Sequence, residues 1–174
     1  MGIVWAGATL GLALLEGWYS LRVKRDGIYW MKGFQGNLVR GVILLFLSSG
    51  LVSFYFFWTY PVVLQWRYNG LVSVGTFFLS LVCIDFLWYC FHRLHHTVAC
   101  FWALHSVHHG DTRLNLSTAF RISWTEQLYL FWFYFPVLLV GFHPIVFFGS
   151  IFYLNLHQFF CHSQYLKLPH FLNF

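Results

Sequence analysis

Four apolar runs organise the chain, near residues 3–21, 41–62, 70–91 and 127–161, and polar residues are confined mostly to the stretches between them. Each of the first three runs has close to the roughly 20 residues with which a helix crosses a hydrocarbon core. The fourth is interrupted by GFHP at residues 141–144. Glycine followed closely by proline does not continue a helix comfortably, so this run resolves into two segments, 127–141 and 145–161, joined by a tight turn. Both halves are short for a full span, which leaves a tilted or re-entrant hairpin as an alternative. The pattern predicts an all-α protein, a multi-pass integral membrane bundle of helices.

Composition strengthens the membrane reading. The 174 residues are 59% hydrophobic, 24% aromatic and only 9% charged, against about 25% charged in an ordinary soluble domain. The first run has no basic residue ahead of it and reads as a retained helix rather than a signal peptide. Cys83, Cys90, Cys100 and Cys161 sit in or beside apolar runs without a Cys-x-x-Cys pair, so they are assigned to packing and imply no disulfide framework.

The formal charge of +5 does not point to nucleic acid, because the basic residues form no patch with interleaved aromatics. Arg22, Lys24, Arg25, Lys32 and Arg40 instead fall in one polar loop between the first two runs, which the positive-inside rule places in the cytosol. The chain then leaves through 41–62, turns over QWRYNG and returns through 70–91. The polar region after residue 91, with Arg93, Arg113 and Arg121, therefore opens on the cytosolic side. Topology brings every histidine except His143 towards that face.

Six of the ten histidines stand in HRLHHTVACFWALHSVHH, residues 92–109, which looks like one His-x-x-His-His box written twice. His92 and His96 are four apart, and His105, His108 and His109 follow an i, i+3, i+4 pattern. Each set projects from one face of a helix, where imidazoles can converge on a metal. Neutral imidazole suits iron, zinc, copper or nickel, so spacing alone does not choose among them. One straight helix cannot serve both sets. The nine residues from His96 to His105 turn a helix through about 900°, half a turn out of phase, and advance it roughly 13 Å. Metal pairs that act together lie only ~4 Å apart, so the backbone is expected to bend between Thr97 and Phe101. A lone histidine is usually a packing residue, and a solvated histidine tract binds metal adventitiously. Clustering at ligand spacing and the apolar TVACFWAL between the boxes argue against both.

The other polar residues are weaker signals. His162 ends the last segment and returns to the same face, as a further ligand. His157, five residues earlier, is off that ligand's face by ~140° on an ideal helix and is read as a supporting or packing residue. His143 lies in the far turn and is read as structural, and His170 is assigned no role. Asp85 is a carboxylate within an apolar run, costly unless paired. It is expected to accept the second ring proton of a ligand histidine from another segment, the alternative being a pair with arginine or another polar group. Glu16 is equally conspicuous and has no visible partner. In GDTRLNLSTAFR, residues 110–121, Asn115 and Arg121 are the candidates for fixing ligands or substrate.

Taken together, DFLWYCFHRLHH, FWALHSVHHG and NLSTAFR resemble the fatty acid hydroxylase / sterol desaturase superfamily of integral-membrane enzymes, and look most like its alkylglycerol monooxygenase-like and bacterial branches. The likeness is close over roughly residues 80–174. It implies a di-iron (Fe) centre on the cytosolic face that uses O2 and two electrons to hydroxylate or desaturate a C–H bond of a lipid, whether sterol, fatty acyl chain or alkylglycerol ether. The electron donor is a cytochrome, a ferredoxin or a pterin, and the membrane is a bacterial inner membrane or the endoplasmic reticulum. The superfamily's His-x-x-x-His box falls on His92 and His96, its His-x-x-His-His box on His105, His108 and His109, and a later single histidine on His162. His95 matches no ligand position and is a neighbour of the metal site. The domain boundary is expected near residue 70, with N-terminal membrane helices and the basic loop in 1–69 and an incomplete catalytic domain in 70–174. The superfamily's final His-x-x-His-His box is missing, which predicts a fragment of a longer protein.

Two other readings stay open on the residues alone. One is a non-enzymatic membrane protein that binds metal or haem. The other is an inactive, truncated scaffold.

Overall fold

The computed structural model describes residues 2–25, 31–65, 71–111 and 113–166. His170 lies outside them. The described residues form six α-helices: α1 (Gly2–Tyr19), α2 (Met31–Gln65), α3 (Val74–Thr97), α4 (Ala99–His109), α5 (Glu126–Leu139) and α6 (Pro144–Cys161). A π-helical turn, Ser20–Lys24, follows α1, and a 3₁₀ turn, Leu116–Phe120, lies between α4 and α5.

Local chemistry sets the ends of the helices that carry histidines. Ser73 opens α3 with a reciprocal box: its hydroxyl accepts the Thr76 amide at 3.1 Å while the Thr76 hydroxyl accepts the Ser73 amide at 3.0 Å. At the other end Val98, extended at φ −108° and ψ 119°, separates α3 from α4. This is the bend that helical phase requires between the two histidine sets. The break between α5 and α6 also falls at GFHP. Gly141 takes φ 101°, a conformation that favours glycine, Pro144 stands at the start of α6, and the His143 Nδ1 caps that helix by accepting the Ile145 amide at 3.2 Å.

The second helix corrects the sequence reading. Lys32 and Arg40 were expected in a loop, but α2 begins at Met31 and continues through Gly33 and Gly36. Tertiary contacts overcome the poor helix propensity of these glycines. The fully buried Asn37 donates to Asp111 Oδ2 and to Ser117 Oγ, both at 3.2 Å. At Gly41 a Cβ would come within 2.9 Å of the Phe120 side chain, so only glycine lets α2 approach the 3₁₀ turn this closely.

The main core lies between α3, α5 and α6, where Ile84, Phe131, Tyr134, Val137, Leu138, Val146, Phe147 and Leu154 are buried. α2 joins it through Tyr55, which stacks on Phe131 and donates to the Leu128 carbonyl at 2.6 Å. A smaller cluster of Ala13, Leu116 and Phe159 ties α1 to the 3₁₀ turn and the end of α6. Outside these cores large apolar side chains face outward, among them Phe46, Phe57, Trp58, Phe86 and Val140. Among the described residues two helices, α3 and α6, are long and apolar enough to cross a membrane by length and composition.

Candidate metal centre

The break at Val98 folds α4 back beside the end of α3 and brings four imidazoles together. The nitrogen atoms offered by His92, His96, His105 and His109 all lie within 4.8 Å of one another. His92 and His96 approach through their Nε2 atoms at 3.0 Å. His105 is the hub, with its ring centroid 4.9 Å from those of His92 and His109 and 5.1 Å from that of His96.

A second, smaller set adjoins the first. His108 on α4 and His162, just beyond α6, face each other with Nε2 atoms 3.3 Å apart. The backbone fixes which nitrogen is free in each. The His108 Nδ1–H donates to the Arg121 carbonyl at 3.2 Å, and the His162 Nδ1–H donates to the Gln158 carbonyl at 2.7 Å. Both Nε2 atoms are then left with lone pairs directed at one another, an arrangement two neutral imidazoles cannot satisfy between themselves. The rings of His105 and His108, 5.5 Å apart, connect this pair to the four-histidine set.

The donor chemistry fits a metal. Metal–nitrogen bonds of about 2.1 Å place two nitrogens on one ion roughly 3.0–3.4 Å apart, and both Nε2 pairs meet that spacing. His92 Nδ1 and both ring nitrogens of His105 are buried with no hydrogen-bond partner among the described residues. Burial, reinforced by the neighbouring His162 and His105, pushes His108 down to about 4, and burial lowers His162 and His109 as well. These rings therefore stay neutral at physiological pH, the state in which imidazole binds metal. The set is closed at His105 and open at His96 and His109, where Trp102 lies against both exposed rings.

The remaining sequence candidates separate by what they touch. His95 is buried, and both its nitrogens are committed: Nδ1–H donates to the Phe91 carbonyl and Nε2 accepts from the Tyr129 hydroxyl, each at 2.7 Å. Arg121 holds His108 through its carbonyl and secures the end of α4 by donating from Nε to the Val107 carbonyl at 2.7 Å. Asn115 caps the 3₁₀ turn, its Oδ1 accepting from the Ser117 amide and hydroxyl, and among the described residues it touches none of the converging histidines. His157 lies against Cys161 Sγ at 3.9 Å and is not brought into the cluster. Asp85 is exposed on α3 and meets none of these rings among the described residues.

Two glutamates that histidine spacing does not reveal lie beside the site, one against a ring and one against the residue that follows His162. Glu126, at the start of α5, places its buried carboxylate 3.5 Å from His105 Nδ1. Glu16 on α1 accepts the Leu116 amide at 2.7 Å and the hydroxyl of Ser163, the residue after His162. The sequence signal for Glu16 was its carboxylate within an apolar run. Glu126 had none beyond its acidity at the edge of the last run.

Residues 77–174 match the fatty acid hydroxylase family. Alkylglycerol monooxygenase of Danio rerio is 33% identical over 167 residues, covering 91% of this chain and 36% of that protein. The human alkylglycerol monooxygenase is 31% identical over 132 residues, covering 76% of this chain and 29% of the relative. That of Xenopus tropicalis is 35% identical over 95 residues, or 55% and 21%. The chain thus spans about a third or less of the length of these curated relatives. No solved structure gives a significant match.

Proposed function

The chain belongs to the fatty acid hydroxylase family, and on that premise we propose that it is an O2-dependent, di-iron membrane enzyme that hydroxylates or desaturates a C–H bond of a lipid. The observation that carries this reading is the convergence of six imidazoles from α3, α4 and the end of α6, with paired Nε2 atoms at 3.0 and 3.3 Å. His92, His96, His105 and His109 would hold one iron, and His108 and His162 would contribute to the second. Iron bound there would supply the reductive activation of O2 with two electrons and two protons: in a hydroxylation one oxygen atom enters the lipid and the other leaves as water, and in a desaturation two hydrogens leave the lipid and both oxygen atoms become water.

The chain's own contribution is to hold the rings and to shape access. The carbonyls of Arg121 and Gln158 fix the Nε2-facing tautomers of His108 and His162. His95, Phe91, Phe101 and Tyr129 form an aromatic wall behind His105, ring against ring, that keeps water from the closed side. Lipid is then received on the open side, by His96, His109 and Trp102. α3 and α6 cross the bilayer, with the histidines at its cytosolic surface, where a cytochrome, ferredoxin or reduced pterin delivers the electrons.

The names of the relatives make a glyceryl ether the first lipid to assay, followed by fatty acids and sterols. Membranes carrying the protein extended downstream through the expected last His-x-x-His-His box are supplied with iron, a reductant system and isotopically labelled O2, and products are followed by mass spectrometry. Label is expected in the lipid product of a hydroxylation, or in water with a new double bond for a desaturation. His105→Ala and His109→Ala are expected to abolish either product. Undiminished turnover in both variants, or no product from any of the three lipid classes, contradicts the proposal.

A further inference from the structure

The geometry points to Glu126 as a positioning residue of the metal centre: with a metal bound, its carboxylate would take the Nδ1–H of His105 and hold the Nε2 of that ring towards the ion. The inference rests on the metal-centre reading above and adds to it a residue that histidine spacing does not reveal.

Three observations meet at this pair. Glu126 and His105 are both buried, with side chains 5% and 6% exposed, and Oε1 lies 3.5 Å from Nδ1. Neither atom has a hydrogen-bond partner among the described residues, and His105 Nε2 has none either. His105 is the buried ring of the four-histidine set, and its centroid lies within 4.9–5.5 Å of those of His92, His96, His109 and His108. A buried carboxylate oxygen left without a hydrogen bond is costly, and Oε1 is such an atom beside His105, a place where a cation on the ring would offset that cost. A cation bound through Nε2 would polarise the imidazole and strengthen Nδ1–H as a donor to Oε1, which already stands 3.5 Å away. Among the described residues Glu126 is the carboxylate in ion-pair contact with the set, and its field also extends to His109.

The position of Glu126 follows from the fold. It opens α5, where its amide takes the Ser123 carbonyl at 3.2 Å, and α5 is seated on the main core through Phe131 and Tyr134. The carboxylate is therefore delivered by a packed helix rather than by a loop. Tyr129, one turn further along α5, secures His95 on the same side of the site. A single helix thus supports the cluster from behind at two points.

The test is Co(II) binding to the purified chain in detergent, with affinity measured by competition and the ligand field read from the visible spectrum. Glu126→Ala is expected to weaken Co(II) binding about ten- to a hundredfold and to alter the spectrum, with far-ultraviolet circular dichroism unchanged. Glu126→Gln keeps an acceptor oxygen but loses the charge, and is expected to fall between the wild type and alanine, as a merely structural side chain of that shape would not. Wild-type affinity and spectrum in both variants overturn the assignment. If the alanine variant does not fold, the glutamine variant decides alone, and wild-type behaviour there overturns it. A wild-type chain that takes up no Co(II) overturns the metal-centre reading itself.

Discussion

His95 and His96 are adjacent in sequence and differ in what their nitrogens do. The ring of His95 is held at both nitrogens by Phe91 and Tyr129, whereas that of His96 points its Nε2 at His92 across 3.0 Å. His96→Ala is therefore expected to weaken metal binding by at least about tenfold. His95→Ala is expected to lower stability by about 1–3 kcal/mol, by stranding the Tyr129 hydroxyl, while metal content stays much closer to that of the wild type. Equal metal losses in the two variants, measured by elemental analysis, would contradict this division. Spacing made the convergence of His92, His96, His105 and His109 legible, because i, i+4 repeats declare a shared face. The glutamates were not legible in the same way. Glu16 meets Leu116, 100 residues away along the chain, and Glu126 meets His105 only after α4 and α5 have packed.

At the scale of elements, the break at Val98 decides whether there is a site at all. It could be read from the sequence because a continuous helix would send the two histidine sets to opposite faces. Inserting one alanine within α4, between Ala103 and Leu104, rotates His105, His108 and His109 by about 100° relative to the first turn of that helix, and is expected to abolish metal binding with little change in helical content by circular dichroism. Retained metal in that variant would mean that the two sets do not act together. The start of α2 was illegible for the converse reason: Gly33 and Gly36 argue against a helix locally, and Asn37 supplies the long-range contacts that sustain it. The first helix is joined to the site by Glu16, which holds Leu116 and Ser163 together. Glu16→Ala leaves a buried amide without an acceptor and is expected to cost about 1–3 kcal/mol, read as a lower midpoint of thermal unfolding in detergent. An unchanged midpoint would show that α1 is not tied to the centre in this way.

For the whole molecule, the apolar runs, the helical architecture and the hairpin turn at GFHP followed from hydropathy and from the conformational limits of glycine and proline. Outward-facing residues such as Phe46, Phe57 and Trp58 suit a surface solvated by acyl chains. The chain is accordingly expected to stay with the membrane fraction through alkaline carbonate extraction and to be released only by detergent; release by carbonate alone would contradict a spanning bundle. What unites the levels is the claim that α3, α4 and the end of α6 exist in this arrangement to hold metal. Iron counted per folded chain by elemental analysis, after purification in detergent and anaerobic reconstitution with Fe(II), tests that claim most directly. The account predicts up to about two irons per chain, with substantial loss in His105→Ala and in the His108→Ala, His162→Ala double variant. Iron no higher than trace in folded wild-type chain, or iron indifferent to both sets of substitutions, would contradict it.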